Sequence, residues 1–568
     1  MPKSLLAFVC LIALAPNALA HATLLRSDPV PGSDLAAAPA RVRLTFDERV
    51  EPVFNSLSVI SLAGHRVDNG DVHVADDGSS IEVALAPLSA GPYVVLWKVN
   101  SADGHQVHGE FGFGVRSAAP DDSALQRFVL PEQSVASKSF GVFVKWMILT
   151  ALVIWLGGIF FLLQIVSGAR DTERSLPHVA IIEQRSLRLL LAMPFVYIAC
   201  ELEDLLAQTL TFSGLSLAKS LSAPTLAAVL FHTTYGEAWL ARMACAGVLC
   251  ILLLFAASTS SDEGVRRSAS VAVAAPFFGG AILLTFPLSG HATAVPRLAW
   301  LAVLCDWCHL VATTVWIGGL VHLAFAVAAI ECQDHAAIEF LGRMTARFSR
   351  FAKASVIVLL VTGVYAAWLH LPDWASFVTT AYGRTLFAKI GLVILILSVA
   401  AINLRRVVPA LLGVRAHFGL ARLWATRFAK LLRLEIAMGL AILLLVALLT
   451  SLPPASAVAA GPINLTRSSP QGGVTVNLTP NRVGSNQVIV TLFDSSGHEV
   501  TNAASVNVYL QMRDMDMALD TIPAQREPDG TYRALVDLSM AGRWRLSVEV
   551  SPERGDDFFV DFDFSSGF

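Results

Sequence analysis

The chain has 568 residues, of which 55% are hydrophobic and only 15% are charged, and its mean hydropathy is +0.61. This composition is too apolar for a soluble globular protein and is typical of a membrane protein that carries soluble parts. The net charge of −3 provides no basic footprint, so the composition argues against nucleic acid as a partner.

Residues 1–20 have the pattern of a secretory signal peptide. Lys3 precedes an apolar run over residues 5–14, and the small-x-small pattern ALA at 18–20 marks a cleavage site. Cleavage there makes His21 the first residue of the mature chain, and its free amine and imidazole could chelate one metal ion. Any residue can follow a signal peptide, so this feature alone does not establish a metal site.

Residues 21–116 are predicted to form a small antiparallel β-sandwich or barrel, because β-forming stretches alternate with Gly, Pro and Asp turns. The stretches are VRLTF, LSVIS, IEVALA, YVVLWKV and GEFGFGV. Residues 117–138 are predicted to be a polar linker. The six cysteines after the leader lie in or beside apolar segments, so neither soluble region is predicted to contain a disulfide.

The end of this first domain carries a candidate metal site in the stretch NSADGHQVHGEF. Asp103 and His105 are two residues apart, so both would point to one face of an extended segment. Together with His21 they supply three nitrogens and one carboxylate, a set that suits Cu(II). No Met or Cys occurs between residues 21 and 140, which argues against Cu(I) here. Considered alone, the Asp-Gly pair is more typical of a turn.

Three stretches of the first domain resemble CopC, a periplasmic copper-binding family. They are HATLLRSDPVPGS, VRLTFDERVEP and YVVLWKVNSADGHQVHGEFGFGV. The resemblance implies that His21, Asp103 and His105 bind Cu(II) and that Glu48 lies near the site. The Met-rich Cu(I) loop of the family is absent from this sequence.

Residues 139–455 are predicted to form a bundle of eight transmembrane helices, because eight apolar runs have membrane-spanning length. The runs are centred near Ile154, Phe195, Gly247, Leu283, Thr313, Leu360, Leu395 and Leu444. Basic residues cluster after spans one, three, five and seven, which predicts that those loops are cytoplasmic and that both chain ends face outward. This orientation agrees with the signal peptide and predicts a multi-pass protein of the bacterial inner membrane.

Ionisable groups inside a bilayer are costly, so each one is a candidate for function. Span two contains CELEDLL, which places Glu201, Glu203 and Asp204 toward its outer end as candidates for an ion path.

Span five opens with CDWCHLVATTVWIGGLVH. Cys305, Cys308 and His309 stand at i, i+3 and i+4, hence on one helical face near the outer surface, and His291 lies in the loop before them. Thiolates suit Cu(I), the C-x-x-C-H spacing also fits c-type haem attachment, and plain helix packing by small buried cysteines is a third interpretation.

Several stretches of the membrane region resemble the CopD family. They are SGHA…D-x-x-H…WIGGL, RFSRFAKASVIVLLVTG, YGRTLFAKIGLVILILSVAAINLRR and RLEIAMGLAILLL. The resemblance implies a role in copper transport, with His291, Asp306 and His309 at the polar positions that match the family.

Residues 470–568 return to a β pattern and are predicted to form a second small outward-facing domain. LQMRDMDMALD places Met512, Met515 and Met517 within six residues; thioethers favour Cu(I), although Met also fills gaps in ordinary cores. The region resembles the YtkA-like domain found beside copper-handling proteins.

The sequence therefore predicts a membrane protein in which an eight-helix bundle joins two all-β, sandwich or Ig-like, domains. The predicted function is copper transport, with import favoured: the first domain captures Cu(II) and passes copper to the bundle. The expected partners are copper ions, the lipid bilayer and periplasmic copper chaperones. No nucleotide-binding motif is found and no enzyme is expected. Two alternatives remain open, namely a membrane copper or haem oxidoreductase and a copper-sequestering protein without net import.

Overall fold

The structure, a computed structural model, places its elements in two compact units, one helical and one containing the two β regions, and each module is described by itself. The described residues are 24–46, 49–76, 78–100, 106–120, 122–125, 127–128, 135–169, 176–257, 264–290, 299–330, 335–371, 376–452, 462–479, 481, 484–494, 496–513, 520–538, 542–553 and 556–566.

The N-terminal domain is a β-sandwich, as predicted. Its strands are β1 (Leu24–Asp28), β2 (Asp34–Leu35), β3 (Arg41–Phe46), β4 (Glu51–Ser61), β5 (Asp68–Val74), β6 (Ser80–Leu85), β7 (Gly91–Asn100) and β8 (Gln106–Val115). One sheet has the order β1-β3-β6-β5 and the other β2-β8-β7-β4. Every second residue of β3 is buried, and these residues pack against Leu57 and Phe113 of the opposite sheet.

The helical unit follows a short helix α1 (Asp122–Leu125). Its helices are α2 (Val135–Phe160), α3 (Leu176–Ser213), α4 (Leu217–Ser220), α5 (Ala223–His232), α6 (Thr234–Ala257), α7 (Gly264–Leu288), α8 (Ala299–Thr313), α9 (Gly319–Ala329), α10 (His335–His370), α11 (Ser376–Thr379), α12 (Ala381–Ile402), α13 (Val408–Leu412) and α14 (Phe418–Leu449). π-helical segments at Phe161–Val166, Thr314–Gly318 and Asn403–Val407 continue α2, α8 and α12.

Within the described residues, six helical stretches are long and apolar enough to cross a membrane. They are Ser137–Val166, Thr234–Phe255, Ala299–Ala329, His335–Leu369, Ala381–Leu412 and Phe418–Leu449. The predicted second and fourth spans are also helical and lie in α3 and α7. Neither is among the six, and in α3 three carboxylates fall within four residues. The count of eight spans therefore stays a prediction.

The helices α2 and α8 approach each other at glycines, which gives the WIGGL stretch a structural role. A Cβ added to Gly157 would lie 2.6 Å from the Cα of Gly318 and 2.7 Å from the carbonyl oxygen of Thr314, so the two backbones are in direct contact. Small residues permit this approach between helices, where packing and not the hydrophobic effect drives association. The contact holds the π segment of span five against α2.

The C-terminal module contains two sheets around one core. Its strands are β9 (Ile463–Ser469), β10 (Gly472–Thr479), β11 (Gly484–Phe493), β12 (Glu499–Val500), β13 (Ala503–Met512), β14 (Asp520–Pro523), β15 (Gln525–Arg526), β16 (Tyr532–Leu538), β17 (Gly542–Pro552) and β18 (Phe558–Ser566). One sheet runs β15-β16-β11-β10-β9, with β12 beside β11, and the other runs β14-β13-β17-β18.

The burial of Met512 corrects one prediction for this module. Met512 is 3% exposed, belongs to the core and pairs with Trp544 across β13 and β17. Alternation along β13 carries it inward with Val508 and Leu510, so it is not available as a surface metal ligand. Met515 and Met517 lie outside the described residues.

Candidate functional site

The strands of the N-terminal domain bring several chain segments to one end of the sandwich. β1 begins at Leu24, which pairs with Phe46 at the end of β3. The chain passes from there into β4, whose first residue, Glu51, pairs with Asn100 at the end of β7. Asn100 in turn pairs with the first residue of β8. The start of β1, the end of β3, the start of β4, the end of β7 and the start of β8 therefore lie at the same end of the sandwich.

The predicted copper ligands of this domain all belong to those segments of the sequence. His21 precedes β1, Glu48 lies between β3 and β4, and Asp103 and His105 lie between β7 and β8. All four lie outside the described residues. The described strand ends nevertheless explain how residues far apart in sequence can belong to a single site.

In the helical unit, Glu201 is held in a buried ion pair. Nη1 of Arg242 on α6 lies 3.0 and 3.1 Å from the two carboxylate oxygens of Glu201 on α3. The guanidinium also donates to Thr285 Oγ1 on α7 at 3.0 Å and lies 4.1 Å from the ring centroid of Phe286. Glu201 is fully buried and Arg242 is 5% exposed, so the pair ties three helices together.

The other two predicted ion-path carboxylates have different surroundings. Asp204 accepts a 2.7 Å hydrogen bond from the hydroxyl of Tyr235 on α6. Glu203 is half-buried, and among the described residues it has neither a hydrogen bond nor an ion pair. The three predicted ion-path carboxylates are therefore not equivalent, and Glu203 is the one whose oxygens have no hydrogen bond or ion pair to another described residue.

His309 on α8 is oriented by a neighbouring helix. Its Nδ1 lies 2.8 Å from Thr362 Oγ1 on α10, and that hydroxyl donates its proton to the carbonyl oxygen of Val358 at 2.7 Å. The Thr362 oxygen therefore accepts from Nδ1–H, which leaves the lone pair of His309 on Nε2. A histidine fixed in this tautomer is ready to coordinate a metal ion through Nε2.

The remaining predicted residues of span five do not form a complete metal site with His309. Asp306 is partly buried and is attracted to Lys389 on α12. Cys305 is buried against Tyr365 and Leu369, and Cys308 is half-exposed. Within the part of the chain that the structure describes, no three His, Cys, Asp or Glu side chains converge to hold a metal. His291 lies outside that part.

Sequence reasoning missed several groups that complete these clusters. Arg242 and Lys389 each place a cation in an apolar helix, and Thr362 orients His309. The signal was present for the two cations, because a charged residue within a membrane span is itself unusual. No local signal pointed to Thr362, since a threonine in a membrane helix is ordinary.

In the C-terminal module, a polar cluster occupies the outer face of β13 and β17. The Glu549 carboxylate accepts hydrogen bonds from the Tyr509 hydroxyl at 2.6 Å and from Asn507 Nδ2 at 3.0 Å. These bonds, the one from Tyr509 above all, hold the pKa of Glu549 below its ordinary value.

Four family models match the chain in order. They are the CopC domain over residues 24–116, the copper resistance protein D-like N-terminal domain over 136–296, copper resistance protein D over 342–449 and a YtkA-like domain over 469–549.

Curated relatives agree with these matches. The copper transport protein CutJ of Bacillus subtilis (strain 168) is 26% identical over 95% of this chain and 94% of its own length. Copper resistance protein C of Pseudomonas syringae pv. tomato is 30% identical over 17% of this chain and 83% of its own length. The crystal structure of CopC from Methylosinus trichosporium OB3b matches 18% of this chain and 98% of that chain at 31% identity, with a TM-score of 0.16. The chain therefore belongs to the CopC/CopD copper-resistance family, as a fusion of a CopC domain, a CopD membrane region and a YtkA-like domain.

Proposed function

We propose that this protein imports copper across the bacterial inner membrane and that it is a transporter without enzymatic activity. The observation that supports the proposal is the arrangement of strand ends in the CopC domain. The described strand ends that flank His21, Glu48, Asp103 and His105 in the sequence lie at one end of the sandwich. Copper transport is also the activity in the name of the relative that matches over nearly the whole chain.

The proposed layout follows the sequence. Residues 1–20 are a cleaved leader, 21–116 the capturing domain, 117–138 a linker, 139–455 the membrane region and 470–568 the C-terminal domain. In this layout α3 and α7 cross the membrane together with the six more apolar helical stretches. Eight spans place both soluble domains on the outer side, where copper is captured.

The first proposed step is capture of Cu(II). Cleavage after Ala20 exposes the amine of His21, and this amine, the two imidazoles of His21 and His105 and the Asp103 carboxylate form a nitrogen and oxygen set that suits Cu(II). Capture outside the membrane would raise the local concentration of copper near the helical unit.

The second proposed step is transfer to the outward end of the helical unit. His309 offers Nε2, and Cys305, Cys308, Asp306 and His291 belong to the same span or to the loop before it. The thiols are soft ligands, so Cu(I) is the oxidation state that suits the membrane region. Met515 and Met517 of the C-terminal domain would assist the same transfer.

Copper accumulation in cells tests the direction of transport and the role of the first domain. Cells with the protein should contain more cytoplasmic copper than cells without it at low external copper, and His21→Ala should abolish the difference. His73→Ala is a matched control, because His73 is an exposed histidine of β5 whose ring contacts the carboxylate of the neighbouring exposed Asp71. Lower copper in cells with the protein would mean export or sequestration and would refute import.

A second experiment separates capture from passage. Cys305→Ser combined with Cys308→Ser should reduce copper accumulation and leave Cu(II) binding by the purified protein unchanged. Normal accumulation in the double variant would assign the two thiols to helix packing.

A further inference from the structure

Glu435 is a carboxyl group in the interior of the helical unit that the proposed path does not use. It lies near the middle of α14, is 2% exposed and has apolar neighbours in the same core, among them Leu432 and Met438 of its own helix. An ionisable side chain in such a position is rare and requires an explanation.

One polar side chain contacts this carboxyl. Asn403 Nδ2 donates to Glu435 Oε1 at 3.0 Å, and Asn403 is the first residue of the π-helical segment Asn403–Val407. Such segments interrupt the regular helical hydrogen bonds and are frequent at functional sites. The π segment thus places the Asn403 amide beside Glu435, 32 residues later in the chain.

No cation of the described residues pairs with Glu435. The buried or partly buried basic groups on the helices packed against α14 have other partners: His322 on α9 donates to the carbonyl oxygen of Ile154, Lys145 on α2 to Thr450 and Ser451, and Arg347 on α10 to the carbonyl oxygen of Gln164. Lys389 on α12 interacts with Asp306, and Arg350, Lys353 and Arg384 are exposed. Arg343 on α10 and Arg415, which follows α13, both donate to Glu339. The basic residues of α14 itself and of the π segment are exposed, namely Arg422, Arg427, Lys430, Arg433, Arg405 and Arg406.

An ionised Glu435 would therefore be a buried charge with a single neutral donor. The penalty for burying an unpaired ion in a protein is larger than one neutral amide hydrogen bond offsets. A proton on the carboxyl removes the charge.

The hydrogen bonds of Asn403 lead to the same conclusion. Asn403 Oδ1 is buried and accepts no hydrogen bond from any described residue. An amide oxygen can only accept, and an ionised carboxylate has no proton to donate, whereas a carboxylic acid has one. A proton on Glu435 supplies the donor that this pair of side chains lacks.

We propose that Glu435 is a proton-binding site, which carries a proton in the resting protein as an acid–amide pair with Asn403 and releases it when copper enters the helical unit. The release rests on the proposed transport function. Since no cation of the described residues is available, the positive charge that could stabilise ionised Glu435 is that of the cargo. Met438, one turn along α14 and 6% exposed, places a soft thioether on the same side of the helix.

Infrared spectroscopy of the purified full-length protein tests the resting state. A protonated carboxylic acid absorbs at a higher carbonyl frequency than an ionised one. We expect such a band at neutral pH, its loss in Glu435→Gln, and its retention in the control Glu339→Gln, which removes an ion-paired carboxylate. Asn403→Ala should shift the band without removing it. A spectrum that is unchanged in both Glu435→Gln and Asn403→Ala would overturn the proposal.

Proton counting in proteoliposomes tests the release. The proteoliposomes contain a trapped pH indicator and receive copper(I) that ascorbate keeps reduced. With the wild type, the indicator should report one proton released per copper ion taken up. With Glu435→Gln, it should report none. Equal proton release in both proteins would refute the coupling. Absence of copper uptake by the wild type would instead refute the transport function, and the infrared result would still decide whether Glu435 binds a proton.

Discussion

Gly158→Ala tests a close contact between the helices α2 and α9. An added Cβ would lie 2.6 Å from Cε1 of His322 and 2.9 Å from Cδ2 of Leu190, well inside van der Waals contact. His322 is fully buried, and its Nε2 donates to the carbonyl oxygen of Ile154 at 3.0 Å, so the ring has no open space to enter.

The expected cost has two parts. Overpacking a core costs about 1–3 kcal/mol, and loss of the His322 hydrogen bond inside a membrane protein costs about 1 kcal/mol more. We therefore expect Gly158→Ala to destabilise the protein by about 2–4 kcal/mol, with alanine's better helix propensity returning up to about 1 kcal/mol.

Thermal unfolding of the full-length protein in detergent, followed by tryptophan fluorescence, measures this effect. Gly247→Ala is the matched control, because a Cβ at Gly247 on α6 meets nothing within 4 Å and should leave the midpoint unchanged or raise it. His322→Ala should relieve part of the loss in the double variant, since the imidazole that the Cβ meets is gone. Equal midpoints for Gly158→Ala and Gly247→Ala would refute the close contact.

Three further predictions concern other parts of the chain. Arg242→Met should destabilise the protein by about 3–5 kcal/mol, because it leaves Glu201 buried without a cation. Thermal unfolding measures this effect, and the double variant with Glu201→Gln should regain most of the lost stability. Met512→Ala should cost about 2–5 kcal/mol and reduce hydrogen-exchange protection of β13, while copper affinity stays unchanged, because this side chain packs in the core. The stabilisation from Glu549, whose pKa is lowered mainly by the Tyr509 hydroxyl, should be present above the unfolded-state pKa and lost as the pH falls through the lower folded-state pKa. Hydrogen exchange of β17, measured as a function of pH, would detect this loss of stabilisation. The loss should be smaller in Tyr509→Phe.

The strands were predictable because their signal is local. VRLTF became β3, and its alternate residues Val42, Leu44 and Phe46 are at most 2% exposed. The same alternation of buried and exposed residues also applies to Met512, although the prediction did not use it. In SVNVYLQM, Met512 is an even number of residues after the apolar Val508 and therefore points to the same face of the strand. Alternation thus predicts that this methionine lies in the core.

The partners of the membrane carboxylates were not predictable in the same way. Glu201 and Arg242 are 41 residues apart on different helices, and only the packing of α3 against α6 brings them together. Helical periodicity gives the face of one helix but not the neighbour that this face will meet. The same limit applies to His309 and Thr362, which are 53 residues apart.

The partners also decide which carboxylate of α3 can assist a passing cation. Coordination by Glu201 would require its oxygens to leave Arg242, whose charge would then remain buried without a partner at a cost of about 3–5 kcal/mol. Asp204 would lose the hydrogen bond from Tyr235. Glu203 loses nothing of this kind, because among the described residues it has no ion pair or hydrogen bond to break. Glu201 is therefore a structural tie between helices, and Glu203 is the carboxylate of this stretch whose contact with a cation would break no hydrogen bond or ion pair of the described residues.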